Sequence, residues 1–218
     1  MTFLALLCLC FAVLFIWKEN QKQFVLAVIL KGLASLCFVL LGLKAYQGGS
    51  MPKLIVIGLI CGCIADILLN LRWVFEKKGQ MIFLSGILVF LAGHIMYLAA
   101  VLPLAGGWLP CLLIGAALTA LLMKWIFARI TAKMVLKIFG IIYIGTIVML
   151  NCTAIRNLIL DPNTFTAVFA LGAFLFLISD IILILNTFGG KPQFKMRAAN
   201  LGLYYAGQLL IAISLLFL

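Results

Sequence analysis

Two carboxyl groups sit where a chain this apolar has little reason to keep one. Asp66 lies in the run "GLICGCIADILLN", from Gly58 to Asn70, and Asp180 in "GAFLFLISDIILILN", from Gly172 to Asn186. An ionisable group inside a membrane-length apolar helix costs a few kcal/mol even on lenient scales, so it faces a bundle interior or a wet cavity. Such carboxyls serve acid–base catalysis, proton relays or structural ion pairs, and residue type alone leaves all three open. Other polar residues recur at helical spacing. Gly58, Gly62, Asp66 and Asn70 fall at four-residue intervals, as do Asn200, Tyr204 and Gln208, so each set shares one helix face. Lys31 with Ser35, His94 with Tyr97, Tyr143 with Asn151, and Ser179 with Asp180 add polar groups to other apolar runs.

Asp66 and Asp180 are the candidate catalytic residues. Lys31, Asn70, His94, Tyr143, Asn151, Tyr204 and Gln208 are candidates to position substrate or water. Each has a plainer reading. Lys31 could extend its ammonium toward headgroups, the tyrosines could be packing aromatics, and the small residues could serve close helix contact. A buried histidine is usually a hydrogen-bonded structural residue, and an Asp–Lys31 pair could be a structural bridge.

The elements that must position these groups follow from composition. Of 218 residues, 67% are hydrophobic and only 10% charged, and the mean hydropathy is +1.33. A soluble domain is near half apolar, so an all-α integral membrane protein is expected. Sixteen Lys and Arg face five Asp and Glu. The basic residues lie between apolar runs, where topology and anionic lipid explain them and nucleic acid does not. All seven cysteines fall inside apolar segments and read as small buried hydrophobes. Cys61-x-Cys63 has the wrong spacing for a zinc knuckle and His94 is the sole histidine, which excludes a multi-histidine zinc site. No metal or other cofactor is expected.

Eight apolar runs approach the roughly 20 residues a spanning helix needs: Thr2–Trp17, Phe24–Leu43, Lys53–Leu71, Met81–Leu102, Trp108–Phe127, Val135–Ala154, Phe165–Thr187 and Ala199–Leu218. The first lacks a basic leader and reads as a span rather than a cleaved signal. No connection could hold a soluble domain. The first, third, fifth and seventh connections carry 12 basic residues, and the opposite side carries Lys44, Lys53 and Arg156. The positive-inside rule then puts both termini outside the cytoplasm. Short connections favour a bacterial inner membrane, or the endoplasmic reticulum in a eukaryote.

An internal repeat is also expected. Asp66 and Asp180 lie 114 residues apart and begin "DILL" and "DIIL"; Gly58 matches Gly172, and Gly93-His94 matches Gly207-Gln208, at the same offset. Two parallel four-helix units, 1–104 and 105–218, would make the aspartates equivalent and bring them to one central cavity. The first and fifth spans carry almost nothing polar and are expected at the periphery.

The stretches "KGLASLCFVL", "GLICGCIADILLNL", "GILVFLAGHIMYLAAV", "ALGAFLFLISDIILILN" and "LGLYYAGQLL" together resemble the YhhN-like family of multi-spanning lysoplasmalogenases. The two Asp motifs and the Gly-His-x-x-Tyr motif are the specific part. Gly32 departs from the family pattern, where proline is expected after the lysine. The resemblance implies an eight-helix hydrolase that cleaves the vinyl ether of a lysoplasmalogen to a fatty aldehyde and glycerophosphoethanolamine or glycerophosphocholine. A vinyl ether resists nucleophiles but yields to acid. One neutral carboxylic acid would protonate carbon, and one carboxylate would stabilise the oxocarbenium ion and activate water, as in glycosidases. Asp66 and Asp180 would be that pair, with Lys31, Lys191, Lys195 and Arg197 as candidates for the phosphate. The partners implied are a lysophospholipid substrate and membrane lipid. A proton-coupled transporter is the alternative, distinguished by substrate movement without cleavage. A non-catalytic lipid-binding protein is a third reading.

Overall fold

Hydrocarbon offers no hydrogen-bond partners, so a spanning segment must satisfy its own backbone, and an apolar run of this length does so as an α-helix. The computed structural model describes residues 1–218 and contains no strand. Its helices are α1 (Thr2–Asn20), α2 (Phe24–Ala45), α3 (Ser50–Leu71), α4 (Gly79–Val101), α5 (Leu109–Phe127), α6 (Met134–Leu160), α7 (Thr164–Phe188) and α8 (Phe194–Ser214). All eight are long and apolar enough to cross a membrane, as the eight apolar runs predict. This is a multi-pass, all-α membrane protein.

The connections are short and chemically marked. Gly48 and Gly49 take φ of 100° and 94° between α2 and α3, a region that side chains rarely enter. Asn163 starts α7 with a capping box, its side chain accepting from the Thr166 amide while Thr166 Oγ1 accepts from the Asn163 amide.

Two boundaries differ most from the hydropathy pattern. Helix α6 runs to Leu160, beyond the expected end at Ala154. Arg156 and Asn157 read as loop residues in sequence, yet Arg156 Nε donates to the Ala105 carbonyl at 2.5 Å and Asn157 Nδ2 to the Val101 carbonyl at 2.9 Å. These polar groups satisfy carbonyls at the end of α4 and in the 3-10 turn Leu102–Ala105 that follows it. Helix α8 begins at Phe194 rather than Ala199, because its first turn is basic and exposed and so lies outside the apolar run.

The chain divides into two compact units, Met1–Tyr97 and Leu98–Leu218. The division falls inside α4, ahead of the residue-104 boundary, because α6 holds the end of α4 through the two bonds just described. In the first unit α1 packs on α2 and α2 on α3. Helices α3 and α4 cross at glycine: a Cβ on Gly58 would lie 3.0 Å from the Gly93 carbonyl oxygen, and one on Gly93 would lie 3.1 Å from that of Gly58. In the second unit α5 packs on α6, α6 on α7, and α7 on α8. There a Cβ on Gly172 would lie 2.9 Å from the Gly207 oxygen, and one on Gly207 would lie 2.8 Å from the Gly172 oxygen. Each unit thus crosses its last two helices at a reciprocal glycine pair, 114 residues apart in sequence.

Both contacts are backbone, which cannot swing aside. Gly207→Ala is therefore expected to force α7 and α8 apart and to destabilise the protein by about 1–3 kcal/mol. Thermal unfolding of the purified variant in detergent measures it. Gly202, which has nothing within 4 Å of a built Cβ, is the control position.

Candidate functional site

In the first unit, two helices face each other with polar residues one turn apart. Helix α2 presents Lys31 and Ser35; helix α3 presents Asp66 and Asn70. Lys31 Nζ lies 3.0 Å from Asp66 Oδ1, with both side chains almost wholly buried. Ser35 Oγ donates to Asp66 Oδ2 at 2.5 Å, so both carboxylate oxygens are engaged. Lys31 also donates to Asn70 Oδ1 at 3.4 Å, and Asn70 Nδ2 reaches Glu19 Oε1 at 3.4 Å. The Phe15 ring of α1 lies 5.4 Å from the Lys31 ammonium. Lys31 therefore does not reach for headgroups: it stays buried because a carboxylate, an amide oxygen and a ring face replace its water. Asp66 thus meets an ammonium at one oxygen and a hydroxyl donor at the other.

In the second unit, Asp180 meets a tyrosine hydroxyl. Tyr143 of α6 donates its hydroxyl to Asp180 Oδ2 at 2.7 Å, and Asp180 is buried in α7. One residue earlier, Ser179 and Asn200 clasp α7 to α8. Asn200 Nδ2 donates to the Ser179 carbonyl at 2.9 Å and to its Oγ at 2.8 Å, and Ser179 Oγ donates to the Asn200 carbonyl at 3.0 Å. Tyr204 packs edge-on against Phe176 and Tyr205 at centroid distances of 5.3 and 5.0 Å. Gln208 donates to the Tyr204 hydroxyl at 3.4 Å. Asn151 donates to the Ile147 carbonyl at 2.9 Å and to the Ala173 carbonyl of α7 at 3.2 Å, further along the helix pair that carries Tyr143 and Asp180.

Lys31, Asp66 and Asn70 thus meet within one unit, and Tyr143 meets Asp180 within the other. His94 is buried in the first unit with Nδ1 2.8 Å from the Phe90 carbonyl of its own helix and its ring edge-on to Tyr97. Lys191 and Lys195 are exposed, and Arg197 half-buried, across the α7–α8 turn and the first turn of α8.

Two participants escaped the sequence reading. Ser35 was visible as the residue one turn after Lys31, but nothing marked it as the second donor to Asp66. Glu19 lay in the polar break after the first apolar run. Helix α1 extends through it to Asn20, which carries Glu19 to Asn70. The first span is the least buried of the eight, as its composition suggests, yet its last turns still supply Phe15 and Glu19 to this network.

No curated protein and no solved structure matches the chain significantly. The YhhN family profile matches residues 26–215, from the start of α2 to the end of α8, and so takes in both aspartates and every polar partner described except those on α1. The chain belongs to the YhhN family.

Proposed function

We propose that this protein is a membrane hydrolase that cleaves the vinyl ether bond of lysoplasmalogens, with Asp180 as general acid and Asp66 as its ionised partner. The observation that carries the division of labour is the buried Lys31–Asp66 ion pair. A carboxyl group engaged by a cation on one oxygen and a hydroxyl on the other suits the charge-stabilising role, and proton donation is given to Asp180. Tyr143 donates to Asp180 Oδ2 at 2.7 Å and so holds the carboxyl group in place. Membership of the YhhN family and the eight spanning helices support a lipid substrate met within the bilayer.

The reaction then runs in three steps. Asp180 protonates the vinyl carbon remote from oxygen, and the ether carbon becomes an oxocarbenium ion. The negative charge of Asp66 stabilises that ion, and water adds to the ether carbon while the proton it releases restores the acid. The resulting hemiacetal collapses by moving its hydroxyl proton to the glycerol oxygen, giving a fatty aldehyde and glycerophosphoethanolamine or glycerophosphocholine. This scheme requires both carboxyl groups to act on one substrate molecule. With Lys31 committed to Asp66, the exposed Lys191 and Lys195 are left as the candidates for the phosphate. In the same reading the glycine crossings mark a duplicated four-helix unit, the termini lie outside the cytoplasm, and the host membrane is a bacterial inner membrane.

The test is turnover of a 1-alkenyl lysophospholipid by detergent-purified protein in heavy water. Carbon protonation places one deuterium on the carbon next to the aldehyde and releases the glycerophospho-alcohol in equal amount. Absence of aldehyde across several lipid and detergent conditions, or aldehyde without that deuterium, would overturn the scheme.

A further inference from the structure

A groove of about 770 Å³ runs between α5 and α6, from Leu98 and Leu112 at one end to Lys124 and Phe127 at the other. Small residues line it and leave it room, Gly115 and Ala116 on α5 and Gly145 on α6. Its two hydroxyls face inward chemically: Thr119 Oγ1 donates to the Gly115 carbonyl at 2.7 Å and Thr146 Oγ1 to the Ile142 carbonyl at 2.9 Å. With those donors satisfied by the helix backbone, the wall suits a hydrocarbon chain better than a hydrated solute. From residue 112 to residue 127 an α-helix rises about 22 Å, more than half of a ~30 Å hydrocarbon core. The groove therefore reaches deeper than one leaflet.

The charged end decides what kind of chain. Between Leu109 and Leu160 there is no acidic residue, while Lys124, Arg129, Lys133 and Lys137 cluster at the α5–α6 connection. That connection is pinned rather than loose: Thr131 N donates to the Phe188 carbonyl at the end of α7 at 2.9 Å. Arg129 stacks 4.1 Å over Trp125 while donating to its carbonyl at 2.9 Å, and Lys137 lies 5.5 Å over Phe127. A fixed basic shelf thus stands over the mouth of an apolar groove. The groove is not a continuation of the Asp180 site, since Tyr143 lies on α6 outside the groove-lining set Ile141, Ile142, Gly145, Thr146 and Met149.

We propose that this groove is a binding site for an anionic glycerophospholipid, with one acyl chain between α5 and α6 and the phosphate at Lys124 and Lys137. Charge complementarity selects this occupant over a second copy of the chain. Two copies in one membrane share an orientation, so a symmetric contact here would set one four-cation cluster against another. A lipid phosphate neutralises the cluster instead, and basic pockets between spanning helices hold anionic headgroups for this reason.

Binding is read by native mass spectrometry and by lipid exchange from vesicles of phosphatidylglycerol or phosphatidylcholine with matched chains. Wild type should retain phosphatidylglycerol in preference. Lys124→Gln and Lys137→Gln should each weaken that retention about fivefold, the equivalent of about 1 kcal/mol per basic residue near a membrane surface. Ala116→Phe fills the groove without touching a charge and should release the lipid while circular dichroism and thermal unfolding stay close to wild type. Equal retention of the two lipids, or retention unchanged in Lys124→Gln and Ala116→Phe, overturns the proposal. So does a dimer that Ala116→Phe converts to monomer with lipid binding intact.

Discussion

Asp180→Asn should abolish aldehyde release while the protein stays folded. The amide has nearly the shape of the carboxyl, and its oxygen can still accept the Tyr143 hydroxyl that now meets Asp180 Oδ2 at 2.7 Å. What it cannot do is give a proton to carbon. Removing a positioned general acid costs roughly 10²–10⁴-fold in rate, and because kcat falls without a large change in KM, the loss lies in transition-state stabilisation. Tyr143→Phe provides the graded comparison. It removes one hydrogen bond to the acid but leaves the acid, so about a tenfold loss is expected, the equivalent of about 1.4 kcal/mol. Turnover by both purified variants, alongside their unfolding curves, checks the order. An Asp180→Asn protein that keeps more than a tenth of wild-type turnover removes Asp180 from the chemistry.

Much of this arrangement was legible in the sequence, for one physical reason. A bilayer makes an internal carboxyl expensive, so Asp66 and Asp180 stood out, as did the polar residues in the other apolar runs. Lys31 and Tyr143 were among those residues, and each proves to touch an aspartate. The spacing that pairs Gly58 with Gly172 and Gly93 with Gly207 likewise corresponds to two helix crossings of the same kind. What escaped was of two sorts. Polar residues near helix ends, such as Glu19, Arg156 and Asn157, look like loop in hydropathy, because periodicity fades where the apolar run stops. They were placed by the hydrogen bonds they make to another element. Partner identity was the second gap. Sequence offered Lys31 as either a snorkelling cation or an ion-pair partner, and the choice depends on which way a side chain leaves its helix. Only the buried 3.0 Å contact shows that the Lys31 ammonium goes to Asp66.

The Lys31–Asp66 pair allows stability and catalysis to be separated, which Asp66→Asn alone does not. Lys31→Met should destabilise the protein by about 3–5 kcal/mol, because it leaves a buried carboxylate without its cation. Asp66→Asn should cost a similar amount by leaving the buried ammonium without its carboxylate, so lost activity in that single variant has two explanations. In the double variant neither charge remains. Met fills most of the lysine stem's volume, and the Asn amide can still accept from Ser35, which now donates to Asp66 Oδ2 at 2.5 Å. Replacing both members of a buried pair is often close to neutral, so the double variant should recover to within about 1–2 kcal/mol of wild type, and the cycle should show strong coupling. Its turnover should nevertheless stay roughly 10²–10⁴-fold down if the Asp66 carboxylate serves the reaction. Unfolding curves and aldehyde release on all four proteins complete the measurement. A double variant that is both stable and active would make the ion pair structural and leave Asp180 to work without Asp66. A double variant that is stable and inactive assigns the buried Lys31–Asp66 pair to function rather than to stability, since what it then lacks is the two charges at that point in the membrane.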